Sequence, residues 1–282
     1  MANSLSQYLP DNFQPGDGIC LIAGKELYPE LVAHRMREEG VRSKIVAYKG
    51  ETRDSLYDSF PEEDRIRIKV GKLGEMLKTI KSYQVKWAIM AGQITPGRLF
   101  KDLNPDLKAV ALLARLKEKN AETIFTAISD EISKVGVELI DARAFLDDQL
   151  ASPGPMTPKV GKVREPFIEH GIEIAKEVAR LDIGQSVVIR KGTVVAVEAF
   201  EGTDRMLRRA GSFDTDQLLL IKTVKPGQDY RFDVPVFGMR TLEVMRESSI
   251  HHAYLEANNI IILEKEKVVK QAAAWEIELV GY

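Results

Sequence analysis

Through the first half of the chain, short apolar runs alternate with stretches whose apolar residues return at helical spacing. They are ICLIAG (19–24), an amphipathic stretch around Leu27 to Glu39, KIVAY (44–48), RIKV (67–70), LGEMLKTIK (73–81) and WAIMAG (87–92). Runs of strand length joined by helical segments spell repeated βαβ units, and so a Rossmann-like parallel sheet with helices. Helical patterns then fill roughly 106–149, broken by VELID (137–141).

The pattern changes at LASPGPMTPKVGKVREPF (150–167), where Pro153, Pro155, Pro158 and Pro166 accompany Gly154 and Gly161. Such a segment suits a connection without regular structure, so two domains are expected: 1–150 for substrate binding and 151–282 for catalysis. Beyond it come a helix (167–181) and two β-branched runs flanking Lys191-Gly192, which read as a hairpin because glycine supplies the positive φ of a tight turn. Further strands are expected at QLLLIKT (217–223), NIIILE (259–264) and EIELVGY (276–282), with helices between, so the second domain is a mixed α/β unit.

At 282 residues with 44% apolar content, the chain has enough material for these cores. Its 40 basic and 42 acidic residues nearly cancel, which leaves no electrostatic footprint for nucleic acid. The one cysteine, Cys20, falls in an apolar run and reads as a buried strand residue. The first 18 residues carry no basic segment followed by an apolar one, and no apolar run is long enough to span a bilayer, so a cytoplasmic protein is expected.

Two strands end in Ala-Gly, at Gly24 and Gly92, and ligands settle beyond the carboxyl ends of strands in open α/β sheets. The turns with Gly24, Gly92 and Gln93 are candidate ligand loops, though a tight strand-to-helix turn accounts equally well for either glycine. KELYPEL after Gly24 lacks the glycines of a dinucleotide-binding loop. The densest signal is EAFEGTDRMLRRAG (198–211), where a strand delivers Glu198 and Glu201 to a Gly-Thr-Asp turn that opens a basic helix. A helix N-terminus with Thr203 as hydroxyl donor suits a phosphate, with Arg208 and Arg209 a turn later; Thr203 or Asp204 merely capping the helix is the alternative. Asp233, in YRFDVPVFG, is a loop carboxylate of the kind a divalent metal or a general base uses, and Lys222 ends a strand where it can neutralise a phosphoryl oxygen, with plain surface charge as the alternative. His34 and His170 are isolated on helical patterns. His251 and His252 are adjacent and diverge on a helix, so no zinc set is expected.

The run ARLDIGQSVVIRKGTVVAVEAFEGTDRMLRRAG (179–211) resembles the signature block of the LpxI family of UDP-2,3-diacylglucosamine diphosphatases, and KTVKPGQDYRFDVPVFGMRTLE (222–243) resembles its next block. Weaker similarity runs through KVGKLGEMLKTIK and MAGQITP, so the resemblance begins near residue 18. It implies hydrolysis of the diphosphate of UDP-2,3-diacylglucosamine to UMP and 2,3-diacylglucosamine 1-phosphate in lipid A biosynthesis. It further implies dependence on Mg²⁺ or another divalent cation, a cleft between two domains, peripheral contact with the inner membrane and a homodimer. The family's catalytic Asp-x-Pro aspartate falls on Asp233, assigned here to metal or water positioning with Asp204 and Glu201 as acidic partners. Gln185, Thr203, Arg208 and Lys222 are then the candidates for phosphate and sugar contacts. Two departures stand out: AGKELYP has Glu26 where the family's first loop carries its second glycine, and KNAETIF (119–125) replaces a Gly-Asp-Asp. They leave room for a homologue that binds without turnover, or for a diphosphatase of another nucleotide sugar.

Overall fold

Ile19–Ala23 (β1) contains no charged side chain and is buried along its whole length, as the central strand of a sheet covered on both faces must be. The computed structural model describes residues 5–94, 105–118, 120–161 and 163–282, so Thr95 and Pro96 of MAGQITP and Asn120's neighbour Lys119 lie outside the described residues. Around β1, Ser43–Tyr48 (β2), Arg65–Ile68 (β3), Trp87–Ala91 (β4) and Glu138–Leu139 (β5) form a parallel sheet in the order β3-β2-β1-β4-β5. The helices among the described residues are Tyr28–Glu38 (α1), Asp54–Asp58 (α2), Leu73–Ser82 (α3), Leu107–Arg115 (α4) and Ala121–Ser133 (α5). Met76, Leu77 and Ile80 of α3, Leu112 of α4 and Ile132 of α5 pack on Cys20, Ile22, Val46 and Ala88 of the strands.

The third strand is RIRI, two residues earlier than the apolar run suggests. Its alternation places Arg65 and Arg67 on one face at the sheet edge, where both guanidiniums lie over the Tyr57 ring, 4.6 and 4.1 Å from its centroid.

Strand order reverses between β1 and β4, the switch point at which such sheets bind ligands. Gly24 and Gly92 follow these two strands, and their turns are laced together by Gly24 N–H to Ala91 O (2.8 Å) and Lys25 N–H to Gln93 O (2.9 Å). A Cβ on Gly24 would lie 2.7 Å from the Gly92 carbonyl; one on Gly92, whose φ is +84°, would lie 2.5 Å from Lys25 O and 2.7 Å from Pro29 Cγ. Close packing of backbones therefore requires both glycines. Glu26 takes φ 71°, a left-handed backbone that favours glycine.

The chain returns to this unit at Asp229–Asp233. Tyr230 O accepts from Ala142 N (2.8 Å), the Arg143 guanidinium lies 3.5 Å from the Tyr230 ring centroid, Arg231 Nη1 donates to Ser129 Oγ (3.0 Å), and Phe232 stacks on Phe125 at 5.7 Å.

The second unit comprises Asp148–Gln228 and Val234–Tyr282. Gly154–Pro155 (β6), Ser186–Arg190 (β7), Thr193–Val197 (β8), Leu218–Lys222 (β9), His252–Leu255 (β11) and Glu278–Gly281 (β13) form a mixed sheet in the order β6-β13-β11-β9-β7-β8. Strands β9, β11 and β13 are parallel to one another, while β7, β8 and β6 join in antiparallel fashion. Val236–Phe237 (β10) pairs separately with Ile261–Ile262 (β12). Lys191 and Gly192 take φ 49° and 86°, the positive pair of a type I′ hairpin.

Two expectations give way here. The proline-rich segment contributes an edge strand, with Thr157 donating to Ile277 O and accepting from Leu279 N, so its prolines sit where a ladder bond is not needed. His251 and His252 lie at the start of a strand and not on a helix; alternation sends His252 inward to Glu278 (3.1 Å) and leaves His251 exposed.

Four helices complete this unit: Glu165–Arg180 (α6), Thr203–Gly211 (α7), Met239–Glu247 (α8) and Lys265–Ala274 (α9). One sheet face, with Val188, Leu218, Leu220 and Leu255, packs on Met206, Leu207, Leu242, Met245 and Val268 of α7, α8 and α9. The other, with Val187, Ile189, Leu219 and Ile221, packs on Ile168 and Ala175 of α6.

Replacing Gly92 by Ala is expected to lower the stability of the N-terminal unit by about 2–4 kcal/mol, combining overpacking with a strained φ. Gly136→Ala, at φ +86° with nothing within 4 Å of a Cβ, isolates the backbone contribution and should cost about 1 kcal/mol. Urea unfolding of the two variants against the parent checks both values.

Candidate functional site

The register of the second sheet lines up Ser186 with Lys222, and Lys222 with Leu255, at the carboxyl end of the parallel strands. Glu198, just past β8, joins this row through its N–H to Ser186 O (2.9 Å). Cross-strand neighbours share a face, and the even positions of β7 and β9 face α7 and α8. Ser186 and Lys222 therefore project under the N-terminus of α7. Lys222 is 6% exposed, and Nζ reaches Ser186 Oγ at 3.3 Å and Thr203 Oγ1 at 3.4 Å. No carboxylate among the described residues forms an ion pair with it.

Helix α7 begins after Gly202, whose φ of 80° turns the chain sharply, and no side chain caps its free amides. Capping by Thr203 or Asp204 is therefore not what those residues do. The Thr203 hydroxyl donates to Glu198 Oε1 (2.7 Å), and Asp204 pairs with Arg240 Nε (2.7 Å) and accepts from Thr241 Oγ1 (3.4 Å) at the start of α8. A buried ammonium, two hydroxyls and uncapped helix amides make a surface for a phosphoryl group.

Thr223 follows Lys222 and so turns to the α6 side, where a different arrangement forms. Glu256 accepts from Thr223 Oγ1 (2.6 Å), from Val224 N (2.9 Å) and from Lys176 Nζ (2.5 Å). Burial raises the Glu256 carboxyl's pKa, but Lys176 and the hydrogen bonds outweigh it and hold the group below its ordinary 4.5.

The remaining expected residues are distributed as follows. Gln185 donates to Gln228 Oε1 (3.0 Å) and its carbonyl accepts from Thr223 N (2.9 Å), so it braces the β7 and β9 ends. Glu201 is bound by Arg209 (2.6 Å), which holds its carboxyl below the usual range. Arg208 lies on the exposed side of α7, 3.5 Å from Glu247, and makes no hydrogen bond to the Lys222 group. Asp233 is exposed, on the segment that packs with the N-terminal unit, and its N–H donates to Asp229 O (3.0 Å). Gly24, Gly92 and Gln93 belong to the N-terminal sheet's own switch point. Ser186, Glu256, Arg240 and Thr241 were not singled out from the sequence; Ser186 follows the LDIGQ block directly, which is the one signal that pointed to it.

Among the described residues, no group of three or more His, Cys, Asp or Glu side chains is arranged to hold a metal ion. A magnesium ion asks for less, since it takes one or two carboxylates and completes its shell with phosphate oxygens and water. Of the expected metal residues, Glu201 and Asp204 are held by Arg209 and Arg240, and Asp233 lies on the segment that groups with the N-terminal unit.

A model of the LpxI N-terminal domain matches residues 18–149, and a model of the LpxI C-terminal domain matches residues 154–280. The chain is also 28% identical over 269 residues to the UDP-2,3-diacylglucosamine pyrophosphatase LpxI of Caulobacter vibrioides, covering 89% of this chain and 92% of that protein.

The Glu256 arrangement makes a pH prediction. A carboxyl held below its ordinary 4.5 contributes stability that is present above that value and is lost as pH falls through the lower, folded one. Glu256→Gln should therefore destabilise by about 1.5–3 kcal/mol at pH 7, with the gap to the parent closing as the pH falls below 4.5. Thermal unfolding across this range measures it.

Proposed function

Because the chain belongs to the LpxI family, whose two domain models it matches in order, we propose that it hydrolyses the diphosphate of UDP-2,3-diacylglucosamine to UMP and 2,3-diacylglucosamine 1-phosphate in lipid A biosynthesis. The observation that carries this reading is Lys222, an ammonium buried without a carboxylate partner beside Ser186, Thr203 and the uncapped start of α7. A diphosphate would supply the direct anionic partner that Lys222 lacks among the described residues.

In the reaction, the Lys222 ammonium and the α7 amides neutralise phosphoryl oxygens as charge builds on them, the preorganised electrostatic contribution that dominates such transfers. The Ser186 and Thr203 hydroxyls hold the ammonium in place from the protein side. A bound divalent cation would supply further charge neutralisation and a more acidic water, and Asp233 is the carboxylate proposed to hold it. Arg240 and Thr241 fix Asp204, while Arg209 fixes Glu201, so neither carboxylate is free to turn toward Lys222 and cancel its charge.

Peripheral contact with a lipid surface belongs to the same reading. Phe200 is fully exposed between Glu198 and Thr203, and Leu181 and Ile183 are 58% and 47% exposed in the loop whose Gly184 packs on the Glu198 carbonyl. Apolar side chains at the rim of a phosphoryl site suit a substrate with two acyl chains. Among the described residues no helix is long and apolar enough to cross a membrane.

Release of UMP from UDP-2,3-diacylglucosamine by the purified protein tests the proposal, and its absence in the presence of Mg²⁺ would refute it. Asp233→Ala should lower turnover about 10²–10³-fold while circular dichroism and substrate affinity stay near the parent values, with Asp214→Ala as an active control. Chelation with EDTA should abolish turnover and added Mg²⁺ should restore it.

A further inference from the structure

Among the described residues, Glu198 is the carboxylate linked to Lys222, and the link is indirect. Its Oε1 accepts the Thr203 hydroxyl at 2.7 Å, while its Oε2 is sealed from solvent and accepts no hydrogen bond from any described residue. The carboxylate is held in place by its own backbone, through the N–H to Ser186 O (2.9 Å) and the contact of its carbonyl with Gly184, where any Cβ would overlap it.

The order of donors along this chain is set by proton count. A hydroxyl has one proton, a carboxylate only accepts, and an ammonium only donates. The Thr203 proton therefore lies toward Glu198, and the Thr203 lone pairs face Lys222. Two N–H groups of Lys222 are taken by Ser186 and Thr203, which leaves the third for a ligand. A charge-assisted bond to the carboxylate also polarises the Thr203 oxygen and makes it a better acceptor.

We propose that Glu198 is a positioning residue, which acts through the Thr203 hydroxyl to aim the Lys222 ammonium at a phosphoryl oxygen. The inference rests on the phosphoryl reading of this site given above. A role as proton acceptor or metal ligand does not fit, because the free oxygen, Oε2, is closed to water and ions. Without Glu198 the Thr203 hydroxyl turns its proton elsewhere, and Lys222 loses a fixed acceptor while keeping its charge.

The test is a double-mutant cycle on kcat/KM for UMP release. Glu198→Ala and Thr203→Val should each lower it about 10- to 100-fold, the range for loss of a hydrogen bond to a charged group. The double variant should be no more than about 3-fold worse than the poorer single one, because both changes break one chain. Glu198→Gln and Thr203→Ser, which keep the acceptor and the hydroxyl, should stay within about 5-fold of the parent. Gln as damaging as Ala, or a double loss equal to the product of the single losses, would overturn the proposal. Thr203→Val at the parental rate would do so even where Glu198→Ala does not fold. A parent enzyme that releases no UMP contradicts the proposed function instead, so the two failures are distinguishable.

Discussion

Taking an ammonium out of water without a counter-ion costs several kcal/mol, and proteins avoid it unless something compensates. At the end of β9 the compensation for Lys222 is two hydroxyls, at distances that make each hydrogen bond a weak one. The start of α7 adds partial positive charge and does not relieve the burial. Two nearby acids are committed elsewhere, Glu201 to Arg209 and Asp204 to Arg240, and Glu198 reaches Lys222 only through the Thr203 hydroxyl. No carboxylate among the described residues pairs directly with Lys222, and an anionic ligand is proposed to take that place.

This shortage is a consequence of strand geometry. Successive residues of a strand face opposite sides, so Lys222 and Thr223 open onto different helix layers. On the α6 side, Thr223 meets Glu256, which Lys176 neutralises in a closed network. On the α7 side Lys222 makes no direct ion pair among the described residues, and Glu198 meets it only through Thr203. One strand end therefore carries a directly paired cluster on one face and an indirectly linked ammonium on the other. The contrast makes a purely structural role for Lys222 a poor account, since the fold shows in the neighbouring residue how it neutralises such a charge.

Much of this was legible in the sequence. Period and run length located β1, β2 and β4 closely, because buried parallel strands are apolar throughout. The hairpin at Lys191-Gly192 followed from turn chemistry, and the α7 turn from its Gly-Thr-Asp. The strand at His252–Leu255 was missed, since HAYL is too short and mixed to show a period, and it is made a strand by its neighbours on both sides. Edge strand β6 was hidden by its proline. Within the site, residue types pointed to Lys222 and Thr203, but their pairing depends on the register of β7 against β9, which no local signal carries. The same register explains why Ser186 emerged only with the fold, whereas Arg208, attractive by charge, lies on the exposed side of α7 because Met206, Leu207 and Ala210 form its buried face.

Lys222 is proposed to receive the diphosphate. Calorimetric titration with a methylene-bridged, non-hydrolysable analogue of UDP-2,3-diacylglucosamine measures this, comparing the parent with Lys222→Met, which keeps most of the side chain's length and removes its charge. Binding should weaken about 10- to 100-fold in the folded variant, as expected for loss of a buried, charge-assisted contact. Equal affinity in the two proteins would contradict it.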